Sequence, residues 1–421
     1  MDFQIQNLSR HCIQWIKALS ECIILGFSLM VLVAVIPQET IRTQLGKSVK
    51  HTQTVKTASL YDSLHKPHFT AAFMLQLACT MDENRPVQTS LASPLYSLGH
   101  YEDDPVKDYE YVVSKGETAL NLDSYNRYWH GYLVIIRPLL TFLRLPEIRT
   151  LHAVALTLLS LYLVFLTYRQ FGWFTALAFA FAFFYTELYF PQSAIHFNLA
   201  IIIPLIGGII VLKHPTLYRS DKSTFIFFVI LGACTSFIDF LTIPVFFLAV
   251  PLSLVLLRRD EKDIKKQLIP LIGCSAAFGF GYIGMWLAKW ILCAAFTDVD
   301  VYTQVKGRLK ERSILGSCPV VYENVCNYIF WFIAKIASPW KQIIFYALPA
   351  IVLAHVTYLY MRFTTAFKQN ICYLILMFYP LLWFTFAKQH SMNHTSFTYK
   401  AWAVFFLAYM IFTIRVHKKS C

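Results

Sequence analysis

Four stretches of this sequence carry side chains able to move protons and hold phosphates. Tyr61–Phe69, reading Y-D-S-L-H-K-P-H-F, offers Asp62, His65, Lys66 and His68. Glu102, Asp103 and Asp104 form an acidic run. Asp123–Tyr132, D-S-Y-N-R-Y-W-H-G-Y, supplies Arg127, Trp129 and His130, with Arg137 shortly after. Near the C-terminus stand Lys388, His390, Asn393, His394, Tyr399 and Lys400, and between these stretches lie Glu187, Gln192, His196 and Asp239. A carboxylate in such company can take a proton from an acceptor hydroxyl, and the planar fork of an arginine suits a phosphate. Carboxylates near a membrane plane are costly unless paired or functional, which singles out Glu187 and Asp239; the alternative is that each rests in water at a helix end. His65 and His68, at i and i+3, have the spacing of two metal ligands on one helical turn. Pro67 lies between them and no third ligand is evident, so a divalent metal is an option, not a requirement. His390 and His394 admit the same reading, or a phosphate-binding one beside Lys388 and Lys400.

The elements that must position these residues are membrane helices. Hydrophobic residues make up 57% of the chain and charged residues 14%, with a mean hydropathy of +0.51, against roughly 45–50% and 25% in soluble domains. The chain is expected to be an all-α polytopic membrane protein. Its net charge of +13 falls in short clusters between apolar segments, the pattern of membrane-flanking loops, which argues against nucleic acid as a partner. Most of the ten cysteines lie in apolar segments as small hydrophobes. Cys318 and Cys326 fall together in a polar stretch, where a disulfide is an option.

Lysine and arginine thread the spans. Arg10 and Lys17 place residues 1–18 in the cytoplasm, ahead of an uncleaved anchor at 19–36, which lacks a small-residue cleavage site. Residues 37–150 then form a large extracytoplasmic loop with interfacial helices. Trp129 to Leu143 carries Arg137 and Pro138 and suits the interface better than a crossing. Nine further spans fill 151–414: Leu151–Tyr168, Phe174–Tyr189, Leu199–Leu212, Phe225–Phe240, Ile243–Leu257, Leu268–Phe296, Ile343–Tyr360, Cys372–Ala387 and Ala401–Ile414. Residues 415–421 end in the cytoplasm. This threading gives ten spans in a cell membrane and puts every later basic cluster inside; a true span at Trp129 would put Arg258 to Lys266 outside. No internal repeat is evident, against an inverted-repeat transporter.

One anchor, a large outer loop with an acidic residue soon after it, an interfacial R-Y-W-H-G-Y-L-V-I-I-R-P-L-L and many short spans resemble the GT-C superfamily of glycosyltransferases. R-P-L-L-T-F-L, E-I-R-T-L-H-A and the closing Y-R-Q-F-G are similar to protein mannosyltransferase-like members. S-F-I-D-F-L-T-I-P and H-S-M-N-H-T-S-F-T-Y-K resemble bacterial multi-spanning proteins of this type. The resemblance implies an inverting transfer of a sugar from a polyprenyl-phosphate carrier to a cell-envelope glycan or lipid acceptor, among membrane lipids. Asp62 matches the family's loop carboxylate and would be the base. Ser63 stands where the family often carries a second acid, and Asp103 and Asp104 are the reserves. Arg127, Trp129, His130, Arg137, Glu187, Asp239, His390, His394 and Lys400 are the expected substrate-binding set. The alternatives are a flippase for a lipid-linked sugar, which would need paired charges deep in its spans, whose centres are nearly charge-free with Lys289 the main exception, and a scaffold without chemistry.

Overall fold

The computed structural model describes residues 2–54, 67–97, 105–115, 121–186, 195–312 and 341–418. Asp62, Asp103, Asp104, Glu187, His65, Gln192 and the Cys318–Cys326 pair lie outside them.

Helix α1 (Asp2–Ala34) is followed by a loop-region unit of α2 (Gln38–Thr54), α3 (Pro67–Cys79), α4 (Pro86–Ala92), β1 (Pro94–Ser97), α5 (Pro105–Lys115), β2 (Asn121–Ser124) and α6 (Leu133–Leu140). The helical array then runs through α7 (Leu145–Phe171), α8 (Trp173–Tyr185), α9 (Ile195–Lys213), the short α10 (Thr216–Arg219), α11 (Asp221–Ile238), α12 (Pro244–Arg259), α13 (Ile264–Phe296) and α14 (Val301–Arg312). It closes with α15 (Lys341–Arg362), α16 (Thr364–Lys368), α17 (Ile371–Met377), α18 (Tyr379–Phe386), α19 (Lys388–Asn393), α20 (Thr395–Thr398), a 3₁₀ turn at Tyr399–Ala401 and α21 (Trp402–Lys418).

Five of these helices are long and apolar enough to cross a membrane: Cys12–Ala34 of α1, α7, α11, α13 and the last, from Tyr399 to Lys418. Trp173–Tyr185, Leu199–Lys213 and Ile371–Phe386 are shorter apolar stretches. Their outward faces carry the apolar side chains that lipid would cover, such as Leu158, Leu161 and Phe165 on α7. This is a membrane-embedded, all-α architecture. Among the described residues, the apolar segments read from the sequence are helical over most of their length, with one difference in form: the segment expected over Cys372–Ala387 is two helices, interrupted at Phe378, with Pro380 in the first turn of α18. Proline cannot donate the amide that a continuous helix would need there.

A two-stranded antiparallel ribbon, β1 with β2, sits inside the loop-region unit, with Pro94 opposite Ser124. Four-residue strands this polar leave almost no alternation to read. The free edge of β1 is closed by side chains: Gln76 on α3 donates to the Tyr96 carbonyl at 2.7 Å and accepts from the Tyr96 amide at 3.2 Å, and Thr80 donates to the Pro94 carbonyl at 2.8 Å, an answer to the unpaired edge that any sheet presents. Helix α6 is shorter than the interfacial helix expected over Trp129 to Leu143. Leu133, Ile136, Arg137 and Leu140 are buried, because α6 packs against α1, α2, α3 and α7.

The tightest crossing joins α11 to α13. A Cβ on Gly232 would fall 2.1 Å from the Phe278 carbonyl oxygen, and one on Gly281 would fall 2.0 Å from that of Val229. Each helix thus notches the other, and small residues permit the backbone approach on which helix association in lipid depends. The basic helix ends share one face. Arg259 pairs with Asp221, Arg415 with Asp260 and with Asn370, and Gln267 donates to the Gln369 carbonyl. The loop-region unit covers the opposite ends. Gly232→Ala is expected to cost about 1–3 kcal/mol through overpacking and to lower the melting temperature in detergent. Gly279→Ala, with nothing within 4 Å of the added carbon, leaves it unchanged.

Candidate functional site

The segment Tyr125–Tyr132 follows β2 and passes between the C-terminal ends of α11 and α13. Its backbone is held throughout: the Tyr125 amide donates to Ser93 O at 2.9 Å, Arg127 O accepts from Trp286 Nε1 at 2.5 Å, and the Gly131 amide donates to Phe237 O at 2.8 Å. Gly131 is required, since a Cβ there would meet the Phe237 ring at 2.3 Å. Trp129 is fully buried and donates from Nε1 to Met285 O at 2.6 Å. The Lys289 ammonium lies 5.6 Å from the Trp129 ring centroid and donates to Ser90 O at 2.9 Å, tying α13 to α4. The Arg127 guanidinium stands 4.7 Å from the Tyr125 ring centroid.

His130 adopts a left-handed φ of 58°. Its Nε2 faces Tyr125 O at 2.8 Å and its Nδ1 faces the Tyr132 hydroxyl at 3.4 Å. Nε2 therefore carries the proton, because a carbonyl can only accept. Burial pushes the His130 pKa down to about 3, the Tyr125 carbonyl opposing the shift and Lys289 and Arg127 adding to it. The ring is neutral at physiological pH.

Asp239 closes α11, its amide donating to Thr235 O at 2.8 Å. One carboxylate oxygen accepts from the Thr242 amide at 2.9 Å, and the other has no hydrogen-bond partner among the described residues. Burial pushes the carboxyl up to about 6 against the hydrogen bonds of the turn that follows. That turn is strained, with Leu241 at φ 67°, a conformation uncommon outside glycine. The Leu241 carbonyl accepts from His390 Nε2 at 2.9 Å. The next residue back, Phe240, packs on Tyr128, His130 and Tyr132, with ring centroids 5.1–5.7 Å away.

Three segments remote in sequence therefore meet at one end of the bundle: the aromatic loop, the Asp239 turn and the His390–His394 loop. The two histidine rings lie 4.7 Å apart, and His394 stacks on Phe397 at 5.3 Å. Lys400 is buried in the 3₁₀ turn, where Tyr399 packs edge-on against Tyr185 at 6.0 Å. The chemistry available is a buried carboxyl pushed up to about 6, with one oxygen unpartnered among the described residues, among aromatic rings and imidazoles. Such perturbed acids recur at functional sites.

Arg137 is not part of this meeting. It is fully buried and donates from Nε to Val33 O at 2.9 Å, from one terminal nitrogen to Ile36 O at 2.6 Å and from the other to Ala78 O. The sequence reading as a phosphate grip gives way to a clamp on backbone carbonyls, because α6 is buried under the loop-region unit. Trp129 and His130 likewise form the wall behind the Asp239 turn, not an open surface. The sequence reading missed Tyr282, Trp286 and Trp290. Tyr128 stacks on Trp286 at 6.0 Å, and the Trp286 and Trp290 centroids are 5.3 Å apart. Their four-residue spacing on one helix was the available signal. Among the described residues no group of three or more histidine, cysteine or acidic side chains is arranged to hold a metal ion.

Comparison with known proteins gives no match to a family model, a curated protein or a solved structure.

His130 is neutral when folded and titrates near 6.5 when unfolded. Its contribution is complete above that pH and is lost as the pH falls toward 3. Asp239 works in the other direction: its folded pKa of about 6 exceeds the ordinary 3.8, so protonation stabilises the fold as the pH falls between those values. In melting profiles from pH 7 to 4 in detergent, His130→Gln is expected to flatten the acid loss and Asp239→Asn to steepen it. Arg137→Met removes the charged donor from three carbonyls, at about 1–3 kcal/mol for each one left unpaired. It is expected to lose the folded peak on size-exclusion chromatography, whereas Arg144→Met, at an exposed helix cap with Glu147, keeps it.

Proposed function

We propose that this chain is a membrane glycosyltransferase that moves a sugar from a polyprenyl-phosphate carrier to a cell-envelope glycan or lipid acceptor. In this reading the chain crosses a cell membrane ten times with both termini in the cytoplasm, and the basic helix ends mark the cytoplasmic face by the positive-inside rule. The reaction then takes place on the opposite face, under the loop-region unit. The observation that supports it is the convergence of the aromatic loop, Asp239 and His390 at the ends of the spans, on the face covered by that unit. A transfer enzyme needs such a composite polar site where carrier headgroup and acceptor meet, and a scaffold does not.

The chemistry balances without a metal. A carboxylate takes the proton of the acceptor hydroxyl, the acceptor oxygen bonds to the sugar's anomeric carbon with inversion, and the bond from that carbon to the carrier phosphate oxygen breaks with its electron pair on the phosphate. Asp62 is assigned as the base, with Asp103 and Asp104 in reserve. Asp239 orients substrate through its uncommitted oxygen, Arg127, His390, His394 and Lys400 steady the leaving phosphate, and Glu187 completes the acceptor side. Trp129, His130 and Arg137 support these residues from behind. Lys289, the charge that favoured a flippase, stands near the loop-covered end of α13 bonded to Ser90 and over Trp129, and not at the middle of a transport path.

The test is transfer from radiolabelled polyprenyl-phosphate sugars to envelope extract by the purified protein. General-base loss in Asp62→Asn is expected to lower turnover by about 10²–10⁴-fold. Asp239→Asn is expected to act on both turnover and KM while keeping the folded peak. Full transfer by Asp62→Asn moves the base to Asp103 or Asp104. Absence of transfer by the wild type with every donor overturns the reading.

A further inference from the structure

The basic face holds a cavity of about 690 Å³ among the ends of α10, α11, α12 and α13. Four cations line it, Arg219, Arg258, Arg259 and Lys266, against two carboxylates, Asp221 and Glu261. Arg259 pairs with Asp221 at 2.5 Å and donates to Thr224 at 3.0 Å. Arg258 lies over the Tyr218 ring at 4.5 Å and donates to its hydroxyl at 2.5 Å. These contacts fix both guanidinium planes in place at the cavity wall. Arg219 and Lys266 are exposed at the rim, and neither forms an ion pair among the described residues. Fixed arginine forks and an excess of two positive charges favour a phosphate over a carboxylate.

The cavity has an apolar continuation. Ile269 lines it and is half exposed, and Ile272, one turn further along the membrane-crossing α13, is 62% exposed. Ile283, Leu287 and Ile291 extend the exposed apolar surface along the same helix. Basic pockets at the ends of membrane helices are suited to anionic lipid headgroups, and here the headgroup position opens onto a surface that acyl chains can follow.

We propose that this cavity binds the phosphate of an anionic phospholipid, with Arg258 and Arg259 as the fixed donors, Arg219 and Lys266 as the rim charges, and the acyl chains along Ile269 and Ile272. The site is separate from the Asp239 turn, which closes the opposite ends of α11 and α12, and it does not depend on the transfer activity.

The experiment titrates purified protein in neutral detergent with phosphatidylglycerol, with phosphatidylcholine and with inorganic phosphate, reading bound lipid by native mass spectrometry and stability by melting temperature. Phosphatidylglycerol is expected to bind saturably and raise the melting temperature, and phosphatidylcholine to do neither. Arg219→Gln/Lys266→Gln, confined to the exposed rim, is expected to weaken that binding by roughly tenfold or more. Lys262→Gln/Lys265→Gln removes the same charge from exposed positions outside the cavity and is expected to leave it within about twofold. Equal weakening by the two double variants, or equal binding of the two lipids, overturns the site. Stabilisation by inorganic phosphate to the extent given by phosphatidylglycerol overturns the lipid assignment in favour of a soluble phosphate ligand.

Discussion

A single guanidinium holds the loop-region unit to the anchor helix, and the rest of the outer architecture rests on it. Helices α1 and α3 both end beside Arg137, and the last carbonyls of any helix have no partner within it. Where protein and lipid exclude water, those carbonyls need a donor or cost free energy comparable to a lost hydrogen bond. Arg137 supplies donors to Val33, Ile36 and Ala78 together, at the negative ends of two helix dipoles. Burial pushes its pKa down only to about 10, so the clamp keeps its charge at physiological pH. Both the entry of α2 and the placing of the ribbon follow from that junction.

The inner architecture depends on close approach instead. Gly232 and Gly281 let α11 and α13 touch backbone to backbone, which fixes where Phe237 and Asp239 emerge relative to Tyr282, Trp286 and Lys289. The aromatic loop then has one path, with the Gly131 amide on the Phe237 carbonyl and the Trp129 indole on the Met285 carbonyl. A site assembled in this way is rigid behind the Asp239 turn, because its wall is made of buried rings whose polar atoms are already bonded. The neutral His130 belongs to that wall, whereas Asp239 keeps one buried oxygen without a hydrogen-bond partner among the described residues.

The two ends of the bundle differ in electrostatic character. One end gathers arginines and lysines, some paired with Asp221 and Asp260 and some left to face an anion. The other gathers aromatic rings, imidazoles and a carboxyl whose pKa burial raises.

The sequence by itself determined the membrane class, the apolar helices and the grouping of the basic clusters, because these follow from composition and from where charge falls along the chain. It also singled out Asp239, His390 and the Arg127–His130 run, residues that the fold brings to one end of the bundle. What it could not decide was which polar residues face an acceptor and which face a carbonyl. Arg137 and Trp129 have side chains equally suited to a phosphate and to a backbone oxygen, and only the packing of α6 beneath the loop-region unit assigns them to the backbone. The break at Phe378, the four-residue strands and the partnership of Tyr128 with Trp286 were decided the same way, by contacts between segments far apart in the chain that local pattern does not encode.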